Sequence, residues 1–221
     1  MEKRDITGKK YYKELSIKPV KRNMEHYCFI AVRTGKEPLE FFSTIFQQTN
    51  YLFQLSKSVL EMVARTDYFS FRSFEFQDTL SDNLAFCIVN KSTHQEQYLF
   101  GKDEKNACFV LHPKYWKSGR NQLSLPFSDM ESDSEDEKND WDLFKTDMGQ
   151  FSTNLTKNID YLFPVEIHTY EILKPLFLYF SKMKFLNYTL INPKDVTDID
   201  SFFPHWFAHV EQSGKVMDIP F

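Results

Sequence analysis

The sequence predicts an α+β protein: a single, mostly antiparallel sheet of about five to six strands, one long helix packed on a face, and further helices toward the C-terminus. Three observations lead to this fold class. The chain has 221 residues, of which 42% are hydrophobic and 17% aromatic, which is enough for one core. Helical periodicity fills one stretch, at about 38–65. Short strand-like runs that follow one another favour antiparallel pairing.

The first strand and the long helix are predicted by a change of period. His26–Arg33 is a β-branched and aromatic run typical of a strand, and Gly35 and Pro38 interrupt the chain after it. From about 38 to 65, apolar residues recur at helical steps without an internal Gly or Pro. This stripe consists of Leu39, Phe42, Phe46, Phe53, Leu60 and Val63. In Tyr68–Phe76 the period becomes two, which predicts the next strand.

The rest of the chain predicts a meander of strands followed by helices. Leu84–Asn90 and Gln95–Phe100 flank a short loop and predict a hairpin, and Ala107–His112 predicts a strand that Pro113 ends. The later elements are expected in this order: a strand at 159–163, a helix over 165–186 that Pro175 kinks or divides in two, a short strand at 188–191, and a helix over 202–212 with Gly214 after it.

We expect one α+β domain over 24–221, preceded by a basic tail or edge strand at 1–23. An acidic disordered loop at about 120–150 interrupts the domain, because its residues are mostly charged and offer little to bury. Three serines in this loop have an acidic residue three positions on, the spacing of an acid-directed phosphorylation site. They are Ser128, Ser132 and Ser134, and an unmodified solvated loop is the alternative interpretation.

Glycine and cysteine positions exclude several classes of function. No two of the six glycines lie within 17 residues of each other, so phosphate-binding loops, dinucleotide fingerprints and the hydrolase nucleophile elbow are absent. The three cysteines form no C-x-x-C pair, and each lies in an apolar run, as buried free thiols do. The N-terminus has no apolar leader, and the most apolar stretch, Leu173–Phe180, is too short to span a bilayer. We therefore expect an intracellular protein without membrane contact, and Lys18–Arg22 slightly favours the nucleus.

One pair of histidines is a candidate for metal chemistry. His205 and His209 stand at i and i+4 of the last predicted helix, a spacing that suits two zinc ligands. A metalloprotease motif would require Glu where Trp206 stands, and no third ligand can be assigned. The simpler interpretation is a polar edge beside an aromatic helix face, so no cofactor is predicted.

Two segments that combine basic and aromatic residues make nucleic acid a candidate partner. Arg72 interrupts the aromatic alternation of Tyr68–Phe76, and aromatic side chains on a sheet can stack on bases, although they more often form a core. A second cluster, which could contact phosphates together with the basic residues of 1–36, consists of Lys114, Tyr115, Trp116, Lys117 and Arg120. The formal net charge of −4 argues against nucleic acid as the main partner.

The function that these observations favour is a non-catalytic interaction or adaptor subunit of a larger intracellular complex. Large aromatic residues exceed the needs of one core, and protein interfaces are enriched in them. The expected surfaces are the long helix and the apolar tail Val216–Phe221. The alternative is a nucleic-acid-associated protein that binds through 1–36 and 114–120. A second alternative is an enzyme of an unrecognised type, with His205 and His209 at a metal.

Overall fold

The computed structural model describes residues 26–78, 84–116, 139–153, 155, 158–183 and 186–214. It confirms an α+β fold with a mostly antiparallel sheet. The strands are β1 (Tyr27–Arg33), β2 (Gln54–Ala64), β3 (Asp67–Gln77), β4 (Leu84–Val89), β5 (Tyr98–Gly101), β6 (Ala107–Val110), β7 (Tyr161–Glu166) and β8 (Asn187–Ile191). The helices are α1 (Pro38–Thr49), α2 (Asp140–Gln150), α3 (Tyr170–Phe180) and α4 (Phe202–Gly214). No helix among these residues is long and apolar enough to cross a membrane.

Six strands form the main sheet in the order β2-β3-β4-β7-β1-β8, and every neighbouring pair is antiparallel. The interior strand β1 is apolar at nearly every position because other elements cover both of its faces. Tyr27, Phe29 and Ala31 point to one hydrophobic cluster, which α4, β5 and β6 complete. The alternate residues Cys28 and Ile30 point to a second cluster, which α1, α2 and α3 complete. We call these two sides of the sheet the α4 side and the three-helix side.

The predicted long helix is wrong in its second half. Helix α1 ends at Thr49, where Asn50 adopts a left-handed conformation (φ 61°) and its N–H donates to the carbonyl of Phe46. Residues 54–64 form β2 instead, with Leu60 buried and Glu61 exposed. A strand prevails here because its alternating residues bury against the α4 side, whereas the apolar positions after residue 50 only imitate a helical period.

The predicted hairpin of 84–90 and 95–100 forms only at its closed end. There the N–H of Ser92 donates to the carbonyl of Gln97 and the N–H of Leu99 to that of Asn90, on either side of the bridge between Lys91 and Tyr98. Strand β5 itself does not pair with β4 but runs parallel to β6. The buried side chain of Asn90 fixes this arrangement. Its Nδ2 donates to the carbonyls of Phe100 (2.9 Å) and Ile159 (3.0 Å), and its Oδ1 accepts from the N–H of Phe100 (2.8 Å).

The acidic segment is shorter than predicted at its C-terminal end. Residues 140–150 form α2, because Trp141, Phe144 and Met148 pack into the three-helix side and Asn139 caps the helix by accepting from the N–H of Asp142. The remainder of the predicted loop, with the three candidate phosphoserines, lies outside the described residues. The predicted basic tail at 1–23 lies outside them as well.

Proline does not divide the later elements as expected. Strand β7 continues through Pro164, because β4 pairs with β7 only at Tyr161 and Leu162 and the missing N–H can face the side without a ladder. Helix α3 begins at Tyr170 rather than at 165, since β7 extends to Glu166, and it contains Pro175 within a single helix.

Candidate interaction surface

The three-helix side of the sheet is covered over its middle and its β8 end, but not over most of β2 and the first half of β3, since only Phe74 and Phe76 of β3 pack into the cluster on this side. Helix α1 ends at Thr49, and α2 and α3 pack over the strands around β1. The side chains of β2 and β3 that point to this side therefore form a surface, which we call the hairpin face. It consists of Leu55, Lys57, Val59, Glu61, Val63, Tyr68, Ser70 and Arg72.

Four of the eight side chains of the hairpin face are apolar, and all four are exposed. Leu55 is 59% exposed, Val59 41%, Val63 46% and Tyr68 78%. They lie close together because β2 pairs Val63 with Tyr68 and Val59 with Arg72 across the hairpin. An apolar patch on neighbouring strands is unusual for a surface that faces only water.

The patch continues toward helix α1. Leu55 lies opposite Phe74, whose ring packs on that of Phe42 with centroids 4.2 Å apart. Leu39 and Phe46 of α1 and Leu52 of the segment after it are exposed as well. A shallow depression of about 380 Å³ adjoins the end of α1 and is lined by Thr49, Asn50, Tyr51, Phe76, Asp78 and Ile172.

The opposite face of the hairpin is closed by α4 through a buried polar cluster. His209 contacts the hydroxyl of Ser73 with its Nε2 (2.8 Å) and that of Ser58 with its Nδ1 (3.2 Å). The hydroxyl of Ser213 lies 2.7 Å from Ser58 Oγ and 3.2 Å from Ser56 Oγ. Burial lowers the pKa of His209 to about 4, although a backbone hydrogen bond to Val59 acts in the opposite direction. The imidazole is therefore neutral at pH 7, and the cluster fixes β2 to α4.

This geometry shows where the predicted metal pair lies. His209 is 3% exposed and both of its ring nitrogens contact serine hydroxyls, whereas His205 is half-buried. Within the described ranges, no three His, Cys, Asp or Glu side chains are grouped so that they could hold a metal ion.

The predicted nucleic-acid contacts are not brought together. Arg72 lies exposed on the hairpin face, whereas Tyr115 and Trp116 are buried in the core on the α4 side. Burial raises the pKa of Asp195, but hydrogen bonds from Lys114 Nζ and Tyr115 Oη, each 2.8 Å long, outweigh it and lower the pKa overall. The rings of this cluster thus serve packing. Lys117 and Arg120 lie outside the described residues.

The three cysteines lie where free apolar thiols are expected. Cys28 and Cys87 are fully buried, and burial raises the pKa of each thiol well above its ordinary value. Cys108 is half-buried, and burial raises its pKa to about 12. Such thiols carry little of the thiolate that nucleophilic chemistry requires.

β2, which carries this surface, was not predicted as a strand. Its sequence has no clear period of two, because apolar residues stand on both faces, with Val59 and Val63 exposed and Leu60 and Met62 buried. Comparisons of the chain with protein-family models, curated proteins and solved structures found no match.

Proposed function

We propose that the protein is a non-catalytic interaction module that binds another polypeptide chain through the hairpin face, as a subunit of a larger assembly. The observation that supports this is the exposed row of Leu55, Val59 and Val63 on β2, beside Tyr68 on β3, where no helix among the described residues covers the sheet. Covering such side chains stabilises a complex by roughly 1 kcal/mol for each half-exposed aliphatic residue.

The chemistry of the surface defines the partner that fits it. Along β2 the aliphatic residues alternate with Lys57 and Glu61, and Arg72 lies opposite Val59. A polypeptide that covers the aliphatic residues also has to pair with these charges or leave them in water. The partner is therefore a protein segment with its own apolar row and charges of both signs.

The test compares two single substitutions of equally exposed aliphatic residues. Val63→Lys places a charge in the hairpin face, whereas Leu143→Lys does so on α2; the two side chains are 46% and 45% exposed. The tagged full chains are recovered from the cells that naturally make the protein, and the stoichiometric partners are quantified by mass spectrometry. We expect the partners to be lost with Val63→Lys and retained with Leu143→Lys. Equal recovery with both variants would refute the assignment of this face.

A further inference from the structure

The outer edge of β2 is open to a further strand. β2 has 11 residues and stands at the end of the six-stranded sheet, so no strand in the described part of the chain pairs with its outer side. An edge strand presents a row of backbone N–H and C=O groups that can extend the sheet with another chain. The pairing of β2 with β3 shifts between Leu55 and Val59, but the alternation of exposed and covered side chains continues across the shift.

The row of exposed side chains on β2 of one copy is complementary to the same row on a second, antiparallel copy. Along the hairpin face they are, in order, Leu55, Lys57, Val59, Glu61 and Val63. Lys57 and Glu61 stand two residues before and two residues after Val59, and Leu55 and Val63 stand four residues before and four residues after it. In an antiparallel pairing of two copies centred on Val59, Lys57 of one copy lies opposite Glu61 of the other, and Leu55 lies opposite Val63.

Other registers of the same pairing lose this match. A shift of two residues places both charges opposite apolar side chains. A shift of four places Glu61 opposite Glu61, or Lys57 opposite Lys57, and like charges directly opposite each other are unfavourable. None of the ion pairs within the described residues involves Lys57 or Glu61. The order of apolar and charged side chains on β2 therefore favours a second copy as the partner and the register centred on Val59.

We propose that the protein forms a symmetric dimer in which the β2 strands of two copies pair antiparallel about Val59. A two-fold axis relates the copies, so the contact is closed and does not propagate into a fibre. α4 holds β2 from the other face of the sheet through Ser58 and Ser213, which keeps the strand extended for pairing. The two hairpin faces become one surface that is four strands wide. The proposal rests on the same open hairpin as the proposed function.

Charge reversal at the two exposed positions tests the dimer and its register together. The purified full chain is studied by sedimentation velocity and light scattering over a range of concentrations. We expect a dimer for the unchanged protein, and a dissociation constant raised roughly tenfold or more for Lys57→Glu and for Glu61→Lys, since each creates two like-charge pairs. A mixture of the two variants restores opposite charges at both positions and regains the dimer, as does the double variant with both reversals.

Three results would overturn the proposal: a monomer at every concentration, a dimer that is insensitive to both reversals, or two weakened variants that do not rescue each other when mixed. Circular dichroism of each variant shows whether it is folded, which both exposed positions allow. A monomeric protein whose cellular partners are still lost with Val63→Lys would refute the dimer and leave the proposed function standing. A dimer whose partners survive that substitution would refute the proposed function alone.

Discussion

His209 makes the stability of the fold depend on pH in a defined window. Its imidazole is 3% exposed, and burial lowers its pKa from 6.5 to about 4. In the unfolded chain the imidazole has its ordinary pKa, so between about 6.5 and 4 the unfolded state binds a proton that the folded state does not. The free energy of unfolding therefore decreases as the pH falls through this window and is not affected by His209 above it.

The magnitude follows from the separation of the two pKa values. One pKa unit corresponds to about 1.4 kcal/mol, so the neutral His209 accounts for a loss of about 3 kcal/mol between pH 7 and pH 4. This is a large part of the stability of a small domain, which is typically about 5–15 kcal/mol. Carboxylates also titrate in the lower part of the window, so the contribution of His209 must be measured as a difference between two proteins.

His209→Gln supplies that difference, because an amide can still contact Ser58 and Ser73 but does not titrate. Urea unfolding at pH values from 7 to 4 gives the free energy of unfolding of both proteins. We expect the variant to be the less stable at pH 7, by about 1 kcal/mol, and to lose about 3 kcal/mol less than the unchanged protein on acidification. His205→Gln, on the same helix, is the control. A difference between the His209 variant and the unchanged protein that stays constant with pH would refute the reasoning.

Two further substitutions, Asn90→Ala and Gly101→Ala, test the packing around β5 by chemical unfolding at pH 7, each beside a comparison variant at another position. Asn90→Ala leaves the buried partners of three hydrogen bonds unpaired, so we expect it to lower the free energy of unfolding by about 3 kcal/mol. Asn106→Ala, at an exposed position, should change the free energy of unfolding by less than about 1 kcal/mol. Equal effects of the two variants would contradict the role of Asn90. A Cβ at Gly101 would lie 2.7 Å from that of Ala107, so Gly101→Ala is expected to destabilise by about 1–3 kcal/mol. Gly149→Ala meets nothing within 4 Å in helix α2 and should stabilise by about 0.5–1 kcal/mol. The same sign for both glycine variants would contradict this packing.

The sequence predicted correctly those elements in which the order of apolar residues follows directly from which faces of the element are buried. β3 alternates because it buries Phe69 and Phe71 on the α4 side, and β1 is apolar throughout because both of its faces are covered. Helix α4 begins where it was expected, at Phe202. In each case the residues that form the pattern are also the residues that pack in the core.

The pairing of β5 depends on contacts that no local pattern contains. The side chain of Asn90 joins the backbone of Phe100 to that of Ile159, and Ile159 is 69 residues from Asn90 in the chain. A two-residue or four-residue loop between apolar runs predicts a hairpin whenever the strands have no better partner. Here the side-chain hydrogen bonds of Asn90 and the close approach of Gly101 to Ala107 give β5 a parallel partner instead.

The hairpin face was difficult to predict because the high aromatic content was interpreted as evidence for an interface, whereas most of these aromatic residues lie in the core. A sheet covered on both sides needs two cores, and the structure uses the phenylalanines in both of them; Phe29 and Phe202 pack on the α4 side, and Phe163 and Phe177 on the three-helix side. The excess of aromatics is therefore explained by the number of covered faces rather than by an interface. On the hairpin face the exposed apolar residues are aliphatic except for Tyr68. A sequence search for such a surface should therefore look for a strand whose exposed positions are aliphatic, not for aromatic content.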